Sequence, residues 1–284
     1  MDAATLDPAS PPTLAALTHG DVAAIVSQEG AGVGRESSAS STTFLWVSHL
    51  ELESAIVTRN WHAGAAWDLS SAEDESGDRT LLPSNPEVWA RGTGYFDSGI
   101  AAGGGLGVVI PVPRGSTDEG TASAFDVVRA VRPWDAGYYS SHILTLRPFF
   151  DARLILPPFV LQLRQGFDWS YGFDDDRTDI IERVGVYAGW EVHDPVTLGL
   201  ELWQTYSITA NVTDAERAAF TLSPSVTLHT GRLEPGISLL VPLSTPLEGV
   251  ASSFFGVRLH VRLALGETAD VTYARESEAP VVDR

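Results

Sequence analysis

From Phe44 onward, apolar and polar residues alternate in segments of roughly 10–14 residues separated by turn residues, a period of two that marks strands with one apolar and one polar face. The clearest case is Leu144 to Ser170. Leu144, Leu146, Pro148, Phe150, Ala152, Leu154 and Leu156 fall on one face, and Thr145, Arg147, Phe149, Asp151 and Arg153 on the other. Pro157-Pro158 forces a turn, and Phe159, Leu161, Leu163, Phe167 and Trp169 return on the apolar face against Gln162, Arg164, Gly166 and Asp168. Centring the hairpin on the Pro pair sets Asp151 opposite Arg164 and Arg147 opposite Asp168. Directly opposed charges of unlike sign stabilise a sheet, so charge and register agree.

The pattern recurs along the chain. Val184 to Val192 alternates around Arg183, Tyr187 and Glu191, and Val196 to Trp203 follows after the turn at His193-Asp194-Pro195, with Glu201 on the polar face. Phe220 to Leu228, Ile237 to Leu243 and Phe255 to Leu265 complete the second half, the last carrying Arg258, His260 and Arg262 on its polar face. Earlier, Trp46 to Ile56 and Trp61 to Leu69 alternate around His49, Glu51, Glu53, His62 and Asp68. Val88 to Phe96 and the glycine-rich Gly99 to Ile110 are weaker strands. A short strand at Asp21 to Gln28 brings the total to an even number, which single-chain bacterial barrels favour.

Connections alternate in length. Short turns fall at 58–60, 97–98, 157–158, 193–195 and 231–235. Longer, acidic loops fall at Ser71–Pro86, Val112–Ser140, Tyr171–Thr178, Thr209–Glu216 and Ser244–Ser252. Short turns at one end and longer loops at the other are the habit of up-and-down membrane barrels. Thr121 to Arg132 reads as a short helix inside one of those loops.

Soluble sandwiches alternate too, so periodicity alone does not decide where the apolar face points. Length does: a tilted strand crosses a bilayer in about 9–11 residues, against a usual soluble strand of about 5–6. The polar face is dense in charges of both signs, which suits a lumen, and Trp46, Trp61, Trp67, Trp169, Tyr206 and Phe255 lie near strand ends, as interfacial aromatics do. The expected fold is therefore all-β: an antiparallel up-and-down transmembrane β-barrel of about twelve strands, within a range of ten to fourteen, in the outer membrane of a Gram-negative bacterium. Residues 1–40 form a flexible arm apart from the strand at 21–28, residues 43–265 form the barrel, and residues 266–284 form a polar tail.

Composition removes several alternatives. There is no cysteine, hence no disulfide framework or thiolate metal site, and no lysine, so every basic side chain is Arg. A net charge of −19 excludes the basic footprint of nucleic-acid binding. No apolar run approaches the roughly 20 residues of a spanning helix. Met1 to Arg35 has no charged segment followed by an apolar one, so it is not a secretory signal; for an outer-membrane protein this implies that a signal was removed or the start misplaced. Expected partners are the lipid bilayer, lipopolysaccharide and a small-molecule cargo, with no cofactor.

Gly99–Val112 (GIAAGGGLGVVIPV), Leu144–Leu154 (LTLRPFFDARL) and Leu222–Leu243 together resemble outer-membrane proteins of the phenol meta-pathway transporter type. In those proteins a Gly-rich strand ending in a Pro-containing segment precedes a long outer loop. Here that segment is Val109-Ile110-Pro111-Val112-Pro113, without the family's Thr-Gly. The resemblance implies a barrel of 12 to 14 strands that moves hydrophobic small molecules. The end departs from the outer-membrane pattern, since the last strand closes on Leu265 and not on a terminal aromatic.

The register points Arg147, Asp151, Arg153, Arg164, Asp168, Arg183, Glu191, Glu201, Arg258 and Arg262 into the lumen. Such charges either hold a plugged lumen together as ion pairs or line a polar conduit. His49 falls opposite Asp68 with Glu51 and His62 on the same face, and a His oriented by a carboxylate is a general-base arrangement. No G-x-S-x-G accompanies the pair, so the expectation is a structural pair and no enzyme, with an outer-membrane hydrolase as an alternative. Asp174-Asp175-Asp176 lacks the spaced ligands and Gly of an EF-hand loop and reads as a solvated charge run, leaving no metal site. Asn211-Val212-Thr213 matches a glycosylation acceptor that has no meaning in a bacterium.

Overall fold

The computed structural model describes residues 22–34, 42–56, 60–73, 78–96, 99–112, 119–174, 177–193, 195–209, 217–230, 232–244 and 253–265. Its strands are β1 (Val22–Gly34), β2 (Thr42–Ala55), β3 (Trp61–Glu73), β4 (Arg79–Pro83), β5 (Glu87–Phe96), β6 (Ile100–Val109), β7 (Ile143–Leu156), β8 (Phe159–Gly172), β9 (Thr178–His193), β10 (Val196–Ser207), β11 (Ala218–Leu228), β12 (Leu233–Pro242) and β13 (Ser253–Leu265). Between β6 and β7 lie one helix, α1 (Glu119–Val131), and a 3-10 segment, Pro133–Tyr139.

All pairings are antiparallel and, apart from β4 and β5, which do not pair with each other, each strand pairs with its sequence neighbours around a closed ring. The ring closes because β1 pairs with β2 on one side and with β13 on the other, Val22 facing Leu265 and Gly34 facing Ser253. Strands β4 and β5 pair with successive parts of β3 and so make one broken stave, which leaves twelve staves in the barrel. The expected registers of the hairpins are present: Asp151 faces Arg164, and His49 faces Asp68.

The alternation is oriented as a bilayer requires. Leu161, Leu163, Phe167, Val186, Leu198 and Leu200 point outward with 37–47% of their surface exposed, while Gln162, Asp168, Arg183, Tyr187 and Glu201 point inward and are buried. An apolar belt outside a closed ladder is the β solution for crossing hydrocarbon, because backbone groups are satisfied between strands.

Three segments differ from expectation. The strand read at 21–28 runs on to Gly34; its second half, Glu29 to Gly34, is small and glycine-rich, so the residues of its outer face carry no periodic signal. The stretch 71–86, expected as a loop, contains the end of β3 and the whole of β4, a strand of only five residues, too short to show a period. The loop expected at 112–140 does contain a helix, but the helix does not stand outside the barrel. It folds inward against β1, β3 and β4.

The wall is built to receive it. At the end of the barrel that carries the longer connections, inward positions are apolar: Val33, Leu45, Val47, Ala72, Leu82 and Val109. These bury Phe125, Val127, Val128 and Val131 of the helix, each worth roughly 1.5–3 kcal/mol when fully removed from water. The inward face is therefore apolar near the longer connections and charged further in. The residues of the expected arm at 1–21 and 35–41, and of the expected tail at 266–284, lie outside the described residues.

Candidate functional site

The site is the lumen beneath this inserted segment. Its geometry begins with the break in the fourth stave. Between β4 and β5 the chain Ser84-Asn85-Pro86 leaves the ladder, and Asn85 turns its groups onto the insert instead. The Asn85 backbone N–H donates to the Tyr138 carbonyl at 2.7 Å, and its side-chain amide donates to the Ser140 carbonyl at 2.7 Å and that of Gly137 at 3.3 Å. Its side-chain oxygen accepts from the Val112 N–H at 3.1 Å. One buried side chain thus ties both ends of the inserted connection to the wall. Next to it, the Ser84 hydroxyl accepts from the Asp68 backbone N–H at 2.8 Å.

Two charge clusters join insert and wall. In the first, Asp68 accepts from Tyr139 Oη at 2.8 Å, lies 3.0 Å from Arg132 Nη1, and holds His49 Nδ1 at 2.5 Å through its other oxygen. Arg132 reaches on to Asp135 at 2.5 Å. In the second, Arg147 donates to Asp168 at 3.0 Å, to Glu87 at 2.6 Å and to the Trp134 carbonyl at 2.7 Å. Arg183 also reaches Asp168, at 2.5 Å, and Tyr138 donates to Glu87 at 2.5 Å. Burial and the Asp68 carboxylate push the Tyr139 phenol well above its ordinary range, as burial and Glu87 do for Tyr138. Both tyrosines therefore stay protonated and act as donors. Trp134 stacks on Trp203 of β10 with centroids 5.7 Å apart, carrying the insert across the lumen.

The wall holds further pairs. Arg164 grips Asp151 with two bonds of 2.6 and 2.7 Å, Arg258 grips Glu29 at 2.6 Å, and Arg91 meets Glu53 at 2.5 Å. Arg262 meets Glu234 at 3.3 Å. Arg153, Gln162, Tyr187 and Glu201 form a continuous row across β7 to β10, each facing the next in register. Glu191 lies nearer the short turns, facing Thr197. The glycines of β6 make room for this: a Cβ on Gly107 would collide with the Glu87 carboxylate, and one on Gly105 would sit 2.6 Å from the Phe149 ring.

Of the charges named from sequence, the fold gathers Arg147, Asp168 and Arg183 into one cluster and Asp151 with Arg164 into another. Arg258 and Arg262 instead meet Glu29 and Glu234, which the alternation did not single out. Glu87 and Arg91 were legible in principle, since Glu87, Trp89 and Arg91 alternate with Val88 and Ala90. Arg132, Asp135, Tyr138 and Tyr139 carry no such signal, because they belong to a connection and face inward only through tertiary packing.

The clusters enclose a cavity of about 80 Å³. Guanidiniums from Arg132, Arg147 and Arg183 share its lining with Trp89, Phe149 and Trp203. Among the described residues no group of carboxylates or imidazoles is arranged to hold a metal ion.

No protein-family model matches the chain, and neither does any curated protein. Solved structures do. An outer-membrane channel from Pseudomonas putida F1 superposes with a TM-score of 0.63 at 12% identity, over 90% of this chain and 100% of that one. The porin NanC superposes with a TM-score of 0.54, also at 12% identity, over 84% of this chain and 100% of its own. The chain has the fold of an outer-membrane β-barrel. With its apolar belt, that fold places it in the outer membrane, where closed transmembrane β-barrels of this size reside.

Proposed function

We propose that this barrel passes or binds small molecules at the outer membrane, through a lumen narrowed by its own β6–β7 connection. The observation that carries the reading is the cavity beneath the insert, lined by both guanidiniums and indole rings. Polar groups of that kind orient a small molecule and aromatic walls take up its apolar part. The sequence resemblance to phenol meta-pathway transporter-type proteins supports a hydrophobic cargo. The barrel end with longer connections would meet lipopolysaccharide and the short turns the periplasm, following the usual asymmetry.

A second reading rests on the same lumen: a structural barrel kept shut by ion pairs. The Asn85 clamp and the two insert-to-wall clusters favour it. Planar-bilayer conductance separates the two. Steps in the intact protein support passage. Silence in the intact protein, with steps once residues 119–139 are replaced by a Gly-Ser linker, supports the shut barrel. Silence in both sinks the channel reading.

A further inference from the structure

The guanidiniums around the cavity are unequally occupied. Arg147 donates to Asp168, Glu87 and the Trp134 carbonyl, Arg132 meets both Asp68 and Asp135, and Arg258 donates twice to Glu29. Arg183 of β9 has one charge partner, Asp168, 2.5 Å from its Nε. Its two terminal amino groups donate to no acceptor among the described residues, although the side chain is only 6% exposed and lines the cavity. Asp168 does not account for them. Arg147 and Arg183 approach the same carboxylate oxygen, Oδ1, and the other oxygen is buried without a hydrogen bond. A carboxylate placed only to neutralise Arg183 would take the guanidinium with both oxygens, as Asp151 takes Arg164. Buried donors of a charged group are costly to leave unbonded, so these amino groups call for an acceptor from outside the chain.

Arg164 stands beside Arg183. In register Arg183 faces Gly166, and Arg164 lies two residues further along the same face of β8. Diagonal neighbours of this kind are about 7–8 Å apart, within reach of long side chains. Asp151 holds Arg164 through Nε and Nη2, which leaves Nη1 unspent, and the Phe149 ring supports the guanidinium at 4.5 Å from its centroid. Arg164 lines the same cavity. Two guanidiniums, each anchored by a carboxylate of the wall, thus bring unspent donors to one space. We propose, on the reading that this cavity is the barrel's small-molecule site, that Arg183, aided by Arg164, receives the carboxylate of a short-chain organic acid there.

The chemistry of the lining selects that class. A carboxylate accepts two parallel N–H···O bonds from one planar guanidinium, and Arg183 has its terminal pair of amino groups to give. Trp89, Phe149 and Trp203 line the cavity as well and receive a hydrocarbon chain. A volume of about 80 Å³ is room for several waters, which limits that chain to a few carbons. Acidic side chains on the lining are already engaged, Glu51 with His49, Glu87 with Arg147 and Tyr138, and Asp135 with Arg132, so they do not compete for Arg183.

The test is binding of carboxyl-labelled propionate to the full chain refolded in detergent, read from the broadening of its carbon NMR line, with heat-dependent gel mobility as the check of folding. Saturable broadening by the parent is expected, with no displacement by propionamide, which keeps the shape and lacks the charge. Arg183→Gln leaves Asp168 paired with Arg147 and should weaken binding by a factor of about 10–100, the range for losing charge-assisted hydrogen bonds. Arg262→Gln removes the same charge from a pair with Glu234 that does not line the cavity, and should bind as the parent does. Absence of saturable binding in the folded parent overturns the proposal. So does undiminished binding in folded Arg183→Gln, an equal loss in Arg262→Gln, or displacement by propionamide, the last of which decides even where Arg183→Gln does not fold. Conductance takes no part in this readout. A barrel that passes ions and leaves propionate unbound therefore sinks the ligand class alone, and a silent barrel that binds propionate sinks passage alone.

Discussion

At the scale of single residues, the inner wall works by pairing charges that would otherwise be intolerable. Asp168 is the sharpest instance, a buried carboxylate that answers two guanidiniums at once, Arg147 and Arg183. Replacing it by Asn leaves two buried cations with half their compensation. We expect Asp168→Asn to cost about 3–5 kcal/mol, seen as a lower denaturant midpoint for unfolding in lipid. Asn85→Ala acts differently, since it strips donors from the buried Gly137 and Ser140 carbonyls and an acceptor from the Val112 amide. The expected cost is about 1–3 kcal/mol, and faster hydrogen exchange confined to residues 133–140 would register it. The sequence discloses the wall's half of this chemistry and not the insert's. Arg147 and Asp168 sit on strands whose period declares their face. Arg132 and Tyr139 sit in a connection, where no period exists and only packing decides direction.

At the scale of elements, the strands were legible where both faces carried contrast, as in β7 and β8, and illegible where they did not. The second half of β1 carries only glycine on its outer face and β4 is only five residues long, so their pairing comes from neighbours and not from a pattern of their own. The helix was readable as a helix, yet its destination was not: the apolar inward positions Leu45 and Val47 look like outward ones out of register until the helix that covers them is in place. This gives a prediction for the element as a whole. Placing a charge in the contact, as in Val128→Asp, should dislodge α1 from the wall. Limited proteolysis should then cut within 119–139 in the variant and spare the parent, while heat-dependent gel mobility stays that of a closed barrel.

At the scale of the molecule, the barrel presents its hydrophobic surface outward, so its stability depends on what surrounds it. Leu200 lies at the middle of β10 on the outer face. Leu200→Arg should cost about 2–4 kcal/mol in a bilayer, the range for Arg on the lipid face at the midplane. Thr197→Arg on the inner wall, where the position faces the Glu191 carboxylate in register, should cost less. Equal costs at both faces, measured by unfolding in lipid, would contradict the orientation of the barrel.

The seam between β1 and β13 also bears on how such a molecule comes into being. Val22 must find Leu265, and the pair is separated by nearly the entire chain. No cylinder exists until the last strand has been synthesised and returned to the first. Until then two unpaired edges are open, each a template for pairing with another copy. Closure of so distant a contact is slow by its topology. The lifetime of the unclosed sheet, more than the energy of the finished one, sets how much of the chain reaches its native form without assistance.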